Sequence, residues 1–185
     1  MAEEEEVTLP KVPKALLVLS SAPVTEEAAG GYSAPSVASA YFEFAKHGWE
    51  VGFASLDGTA VEDATQPAPA AWDDEKKALV TPAKITGEDG IAATMDVVLA
   101  EYDALFLIGG AGAMVDFAEC AELQAMVKGF YEAEKKVVVA SKKGTAGLLN
   151  VDVGEAKVRA PHPTVTILAA HDSGARLQTA PPHRR

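Results

Sequence analysis

Four short apolar runs, separated by segments at helical spacing, constrain this chain more than any other feature. KALLVLS (Lys14–Ser20), EVGFASLDG (Glu50–Gly58), DALFLIGG (Asp103–Gly110) and VVVAS (Val137–Ser141) each end at turn-forming residues. Runs that are apolar along their length, rather than alternating, suit strands covered on both faces. Between them lie helical segments. SAPSVASAYFEFAKHG (Ser33–Gly48) places Val37, Tyr41, Phe44 and Ala45 at helical spacing and ends on a glycine stop. A helical piece is predicted near Asp73–Leu79 and another over Met95–Tyr102. CAELQAMVKGFYEAEKK (Cys120–Lys136) is amphipathic, with Leu123, Met126, Val127, Phe130 and Tyr131 inward. This β-α alternation predicts an α/β fold: a flavodoxin-like, doubly wound parallel sheet with helices on both faces. No internal repeat is visible.

Ligand sites in such folds lie at the carboxyl ends of the strands. Three loops fall there: SSAPVTEEAAGGYSAP (20–35), GGAGAM (109–114) and SKKGTAG (141–147). The last is a strand turning sharply into a short apolar helix-like segment. Many enzymes hold a nucleophile at such a turn, and here the residues are Ser141, Lys142 and Lys143.

Composition bounds the function. The chain has 185 residues and a formal net charge of -11, which argues against nucleic acid and anionic membranes as partners. No apolar run approaches the ~20 residues of a membrane span. The start, MAEEEEVTLP, is acidic where a targeting peptide would be basic, so a cytoplasmic setting is expected. The single cysteine, Cys120, excludes an internal disulfide and argues against a cysteine-built metal site. It is expected to be structural, although a helix N-terminus could lower its pKa. His47, His162, His171 and His183 form no local metal motif, and neither metal nor cofactor is expected. Three parts are expected: an acidic tail (1–12), one domain (13–170) and an irregular tail (171–185).

YDALFLIGGAGAM, followed by LQAMVKGFYEAEKKVVVASKKGTAGLLNV, resembles the ThiJ/PfpI family of the class I glutamine amidotransferase-like superfamily. The likeness covers roughly residues 14–151 and is greatest to the larger chaperone-like and glyoxalase-like branch. The resemblance implies a cysteine nucleophile in a pattern like A-V-C-H-G-P-A-G-L-L. Gly144 falls on its glycine, so Lys142 falls on the cysteine and Lys143 on the histidine. The family's acidic residue lies in a pattern like G-x-W-x-E-E. Against it, Ser33 takes the tryptophan place, and Pro35 and Ser36 take the glutamate places. Ile108 and Ala111 replace the proline and histidine of P-G-G-H-G-A-M.

A thiolate and a neighbouring carboxyl are what that chemistry needs, and neither stands in the aligned positions. The reading is therefore a non-catalytic member, a binding or structural component of a larger protein assembly. Gly109, Gly110, Lys142, Lys143 and Gly144 are the candidate ligand-binding residues. Two readings remain beside it. One is a glyoxalase or glycation-repair enzyme on small reactive aldehydes, as the family would imply were its nucleophile present; a neutral Lys142 amine, favoured by Lys143, could form a Schiff base with an aldehyde, and Glu26 and Glu27 of the first loop could approach it. The other is a chaperone-like holdase. The family's terminal strand and long helix have no counterpart after AHDSGARL, and Pro181 and Pro182 block a helix there. Only VTILAA (165–170) reads as a further strand. Another protein, or a second copy, is thus expected against the C-terminal side of the sheet, within an assembly such as the cytoskeleton.

Overall fold

The computed structural model describes residues 11–23, 30–66, 68–86, 95–153 and 165–168. The acidic run Glu3–Glu6, the loop glutamates Glu26 and Glu27, the three later histidines and the tail 171–185 lie outside them.

Six strands form one parallel sheet: β1 (Lys14–Leu19), β2 (Glu50–Ser55), β3 (Ala83–Lys84), β4 (Ala104–Leu107), β5 (Val137–Ser141) and β6 (Val165–Leu168). Their order is β3-β2-β1-β4-β5-β6. The chain winds outward from β1 to β3, returns to the centre at β4, and winds outward the other way. The reversal puts a crevice between the carboxyl ends of β1 and β4. The helices are α1 (Ala34–Lys46), α2 (Asp74–Ala78), α3 (Met95–Glu101), α4 (Ala113–Asp116) and α5 (Ala121–Glu132). A 3-10 helix, Lys142–Leu148, follows β5. This is the doubly wound, flavodoxin-like architecture that the alternation predicts.

The apolar runs divide between two cores with period two. Leu16 and Val18 of β1, with Leu105 and Leu107 of β4, pack against Phe117, Leu123, Met126, Val127 and Phe130. Ala15, Leu17 and Leu19, with Phe106 and Ile108, pack against Ala34, Val37, Ala38 and Trp72. Both faces of the central strands are therefore covered, which is why the sequence shows no polar alternation there. Helix α1 ends where predicted: Gly48 adopts φ 75° and has open space around it. The inner face of α5 is Leu123, Met126, Val127 and Phe130, all buried, with Tyr131 packed partly against them.

Two elements differ from the sequence reading. β3 contributes two residues only, paired Ala54↔Ala83 and Ser55↔Lys84. Both are exposed, so no apolar pattern announces the strand. α4 is a single turn that begins in what reads as the loop GGAGAM and runs two residues past it.

Candidate functional site

The three loops meet at the crevice because glycines allow backbone to lie against backbone. Ser33 donates its amide to Gly109 O at 2.8 Å, and Gly112 donates to Gly31 O at 3.0 Å. A Cβ on Gly110 would stand 2.4 Å from Gly31 O. One on Gly109 would stand 2.6 Å from Ser141 O and 3.2 Å from Lys142 Cβ. One on Gly144 would stand 2.3 Å from Leu107 O. Real Cβ atoms do not approach so closely, so each contact needs its glycine. The N-terminus of α1, the turn after β4 and the turn after β5 thereby converge. Ser33, Gly109, Gly110, Lys142, Lys143 and Gly144 are brought together, with Pro35 and Ser36 in the first turn of α1 and Ala111 in the turn after β4.

The turn after β5 is sharp. Ser141 is extended (φ -114°, ψ 133°), and Lys142 swings to φ 48°. That left-handed conformation costs a side-chain-bearing residue about 1–2 kcal/mol. Ser141 is buried, and its Oγ accepts the Gly109 amide at 3.2 Å, which ties the β5 turn to the β4 turn. Lys142 and Lys143 are both exposed. Among the described residues, no carboxylate lies within ion-pair distance of either. The helix they open is a 3-10 turn of seven residues rather than an α-helix.

Two carboxylates near the crevice escaped the sequence reading. Asp63 is 2% exposed. Its Oδ1 accepts from the Thr65 amide at 3.0 Å and from Thr65 Oγ1 at 2.6 Å, and its Oδ2 accepts from Gln66 Nε2 at 2.7 Å. The Ala111 amide also donates to it. Burial pushes its carboxyl up, but these donors outweigh burial and hold it below the usual carboxylate range. The network runs on: Ser33 Oγ donates to Gln66 Oε1 at 2.6 Å, and Ser36 Oγ donates to Ser33 Oγ at 3.0 Å. Every proton in this chain points toward Asp63. Of the two places where the family pattern puts glutamates, one is Pro35 and the other is Ser36, whose hydroxyl is committed to Ser33.

Asp116 closes the other side. Its Oδ2 accepts from Ser20 Oγ at 2.9 Å, the Ser21 amide at 2.8 Å and the Ala22 amide at 3.0 Å. Its Oδ1 is buried without a partner. Burial is the dominant influence and raises its pKa, although the three donors oppose the shift. No periodic signal marks either aspartate. Asp63 stands beside Ala64 and Thr65, and Asp116 stands among the apolar residues Met114, Val115 and Phe117, so neither has a neighbourhood that marks it.

Cys120 is not part of the crevice. It is 8% exposed, packs in the core with Phe117 and Leu123, and its Sγ caps α5 by accepting the Leu123 amide at 3.4 Å. The expectation that the helix N-terminus could lower its pKa fails. Burial raises it, and Glu122 adds to the rise. His47 closes α1 and pairs with Glu43 at 3.0 Å on the surface. Among the described residues, no group of three or more His, Cys, Asp or Glu could hold a metal ion. Among them also, no helix is long and apolar enough to cross a membrane.

The DJ-1/PfpI family profile matches residues 31–175, and the chain belongs to that family. No curated protein matches it significantly by sequence. Among solved structures, it is similar to a crystal structure without a descriptive name (TM-score 0.64, 25% identity, 77% of this chain and 62% of the other). It is similar in fold to the Rapid Encystment Protein 24 kDa of Francisella tularensis (0.58, 22%, 76% and 63%). The same holds for glyoxalase III of Candida albicans (0.55, 24%, 78% and 63%). The chain therefore spans less than two thirds of the length of each of these three proteins.

Proposed function

We propose that this chain is a non-catalytic DJ-1/PfpI protein that works by binding, as a component of a larger protein assembly. One observation carries the reading: the turn after β5 is sharp and left-handed, and the residue in it is Lys142. In the family pattern that position bears the nucleophilic cysteine. The supporting facts lie around it. Pro35 and Ser36 stand in the acidic places, and the Ser33 and Ser36 hydroxyls are engaged with each other and with Gln66. Asp63 has its oxygens filled by donors, and Asp116 is occupied with the loop after β1. Cys120 is buried in another part of the fold. Among the described residues no thiol stands at the turn, and Asp116 Oδ1, which has no donor, is buried. The framework survives, and a retained framework with a closed polar network suits recognition better than proton transfer.

The competing reading is aldehyde chemistry, with the exposed Lys142 amine as nucleophile. Methylglyoxal turnover by the purified chain separates the two. We expect none above the blank, for Lys142→Ala and the unaltered protein alike. Turnover that disappears in Lys142→Ala would overturn the non-catalytic reading. Turnover lost only in Cys120→Ser would move the reactive group to the cysteine.

A further inference from the structure

The 3-10 helix Lys142–Leu148 lies along α4. A Cβ on Gly147 would stand 3.4 Å from the Phe117 ring and 2.9 Å from Leu107 Cδ1, so its inner side is seated in the core. Just beyond it, Asn150 Nδ2 donates to Ala118 O at 3.1 Å, which fastens the exit of this segment to the end of α4. The outer side is unusual. Met114 and Val115 on α4 are 58% and 59% exposed, and Leu149 is 55% exposed. Among the described residues these are the three most exposed large apolar side chains. They sit on adjoining segments, with the exposed Lys142 and Lys143 at the other end of the same 3-10 helix.

Single exposed apolar residues need no explanation, but three on adjoining segments, beside two lysines that no described carboxylate pairs, do. The two cations stand out on a chain of net charge -11. The formal charge of the whole repels an acidic partner, so an acidic segment has reason to arrive here rather than elsewhere. An anion alone would leave the apolar trio wet, and an apolar segment alone would leave the lysines unmatched. We infer that the rim formed by Met114, Val115, Leu149, Lys142 and Lys143 is a docking surface for an acidic protein segment that also carries large apolar side chains. Its carboxylates meet the lysines and its apolar residues cover α4. This inference rests on the binding role proposed above and names the kind of partner.

Fluorescence anisotropy tests it with a short fluorescein-labelled peptide rich in glutamate and carrying two leucines. A glutamate-only peptide of equal length and a lysine-leucine peptide serve as controls. The acidic-apolar peptide should bind best. Its affinity should fall about five- to tenfold in Lys142→Gln/Lys143→Gln, since exposed ion pairs are individually weak, and by a similar factor in Met114→Ser/Val115→Ser. Rising salt should weaken binding to the unaltered protein more than to the lysine variant. All these positions are exposed, and thermal melts of each variant establish that it folds. Equal binding of all three peptides, or affinity unchanged in the lysine variant, overturns the docking surface. So does the absence of binding to the folded protein. The same preparation is assayed with methylglyoxal. Absent peptide binding with no turnover removes only the docking surface, whereas turnover dependent on Lys142 removes the non-catalytic reading on which it rests.

Discussion

Ser33 gives its hydroxyl proton to Gln66 at 2.6 Å across 33 positions of sequence, and Gln66 gives an amide proton to Asp63 at 2.7 Å. Ser33 is fully buried and Asp63 nearly so. The relay locks the residue before α1, two positions ahead of the first glutamate place of the family pattern, to the loop after β2. Its polarity is fixed: hydroxyls and amides donate, and Asp63 is the terminal acceptor. Such an arrangement stabilises when complete and costs heavily when broken.

Asp63→Ala should therefore destabilise the protein by about 1–2 kcal/mol, because the half-buried Gln66 amide and two donors of the exposed Thr65 lose their acceptor and only the latter turn freely to water. Ser33→Ala should cost about 1–2 kcal/mol. The Asp63 carboxyl is held below its ordinary range in the folded state. The folded form thus binds its proton less readily than the unfolded form does. Its contribution is present above about pH 4, the ordinary carboxylate range, and is lost as pH falls through the lower folded value. Urea melts from pH 7 to pH 3 on the unaltered protein and Asp63→Ala measure this. The gap between the two should close only at the acid end, and a gap constant across the range would contradict the relay.

Asp116 should behave in the opposite sense. Its pKa is raised by burial, so the folded form holds the proton more tightly. The stability it offers is full below the unfolded carboxylate value and is lost as pH rises through the folded one. Asp116→Asn keeps an oxygen for Ser20, Ser21 and Ala22 and removes the buried charge. We expect it to be at least as stable as the unaltered protein at pH 7 and to lose that advantage on acidification. Asp116→Ala strands three donors and should cost about 2–3 kcal/mol. Chemical denaturation from pH 7 down to pH 3 decides between these outcomes.

What the sequence discloses follows from where the physical signal is local. β1, β2, β4 and β5 are legible because burial on both faces leaves runs such as ALLVL without a polar break. α5 is legible because Leu123, Met126, Val127 and Phe130 fall on one face. β3 is silent because its two residues are exposed, and α4 because one turn has no period. At the crevice, Gly109 and Gly144 could be placed from the order of turns. Asp63, Gln66 and Asp116 could not. Their partners lie in loops brought together only by the sheet, and Asp116 reaches Ser20 over 96 positions.

Cys120 should be a slow thiol. Burial and Glu122 both raise its pKa, and the thiolate is the reactive form. Ellman's reagent should react with the folded protein far more slowly than with the denatured chain. Cys120→Ala should leave the crevice intact and cost about 1 kcal/mol through the lost α5 cap. Rapid labelling under native conditions would place the sulfur in a different environment from the one beside Leu123.

The turn at Lys142 offers the most direct test, because two neighbouring positions should respond in opposite directions. Lys142 holds φ 48° with its side chain in solvent. Its strain is about 1–2 kcal/mol. Glycine relieves that strain but loses more backbone freedom on folding, a cost of about 0.5–1 kcal/mol. Lys142→Gly should therefore gain stability, by about 0.5–1 kcal/mol. Gly144 is two residues away, and a Cβ there would lie 2.3 Å from Leu107 O, a backbone atom inside the sheet that cannot swing aside. Gly144→Ala should cost about 3 kcal/mol, since the strand or the 3-10 helix must shift to make room. Thermal melts of the pair measure both signs at once. Destabilisation by Lys142→Gly would mean that the lysine side chain makes a stabilising contact which outweighs its backbone strain. Tolerance of Gly144→Ala would mean that the β5 turn does not lie against β4 as closely as the geometry requires.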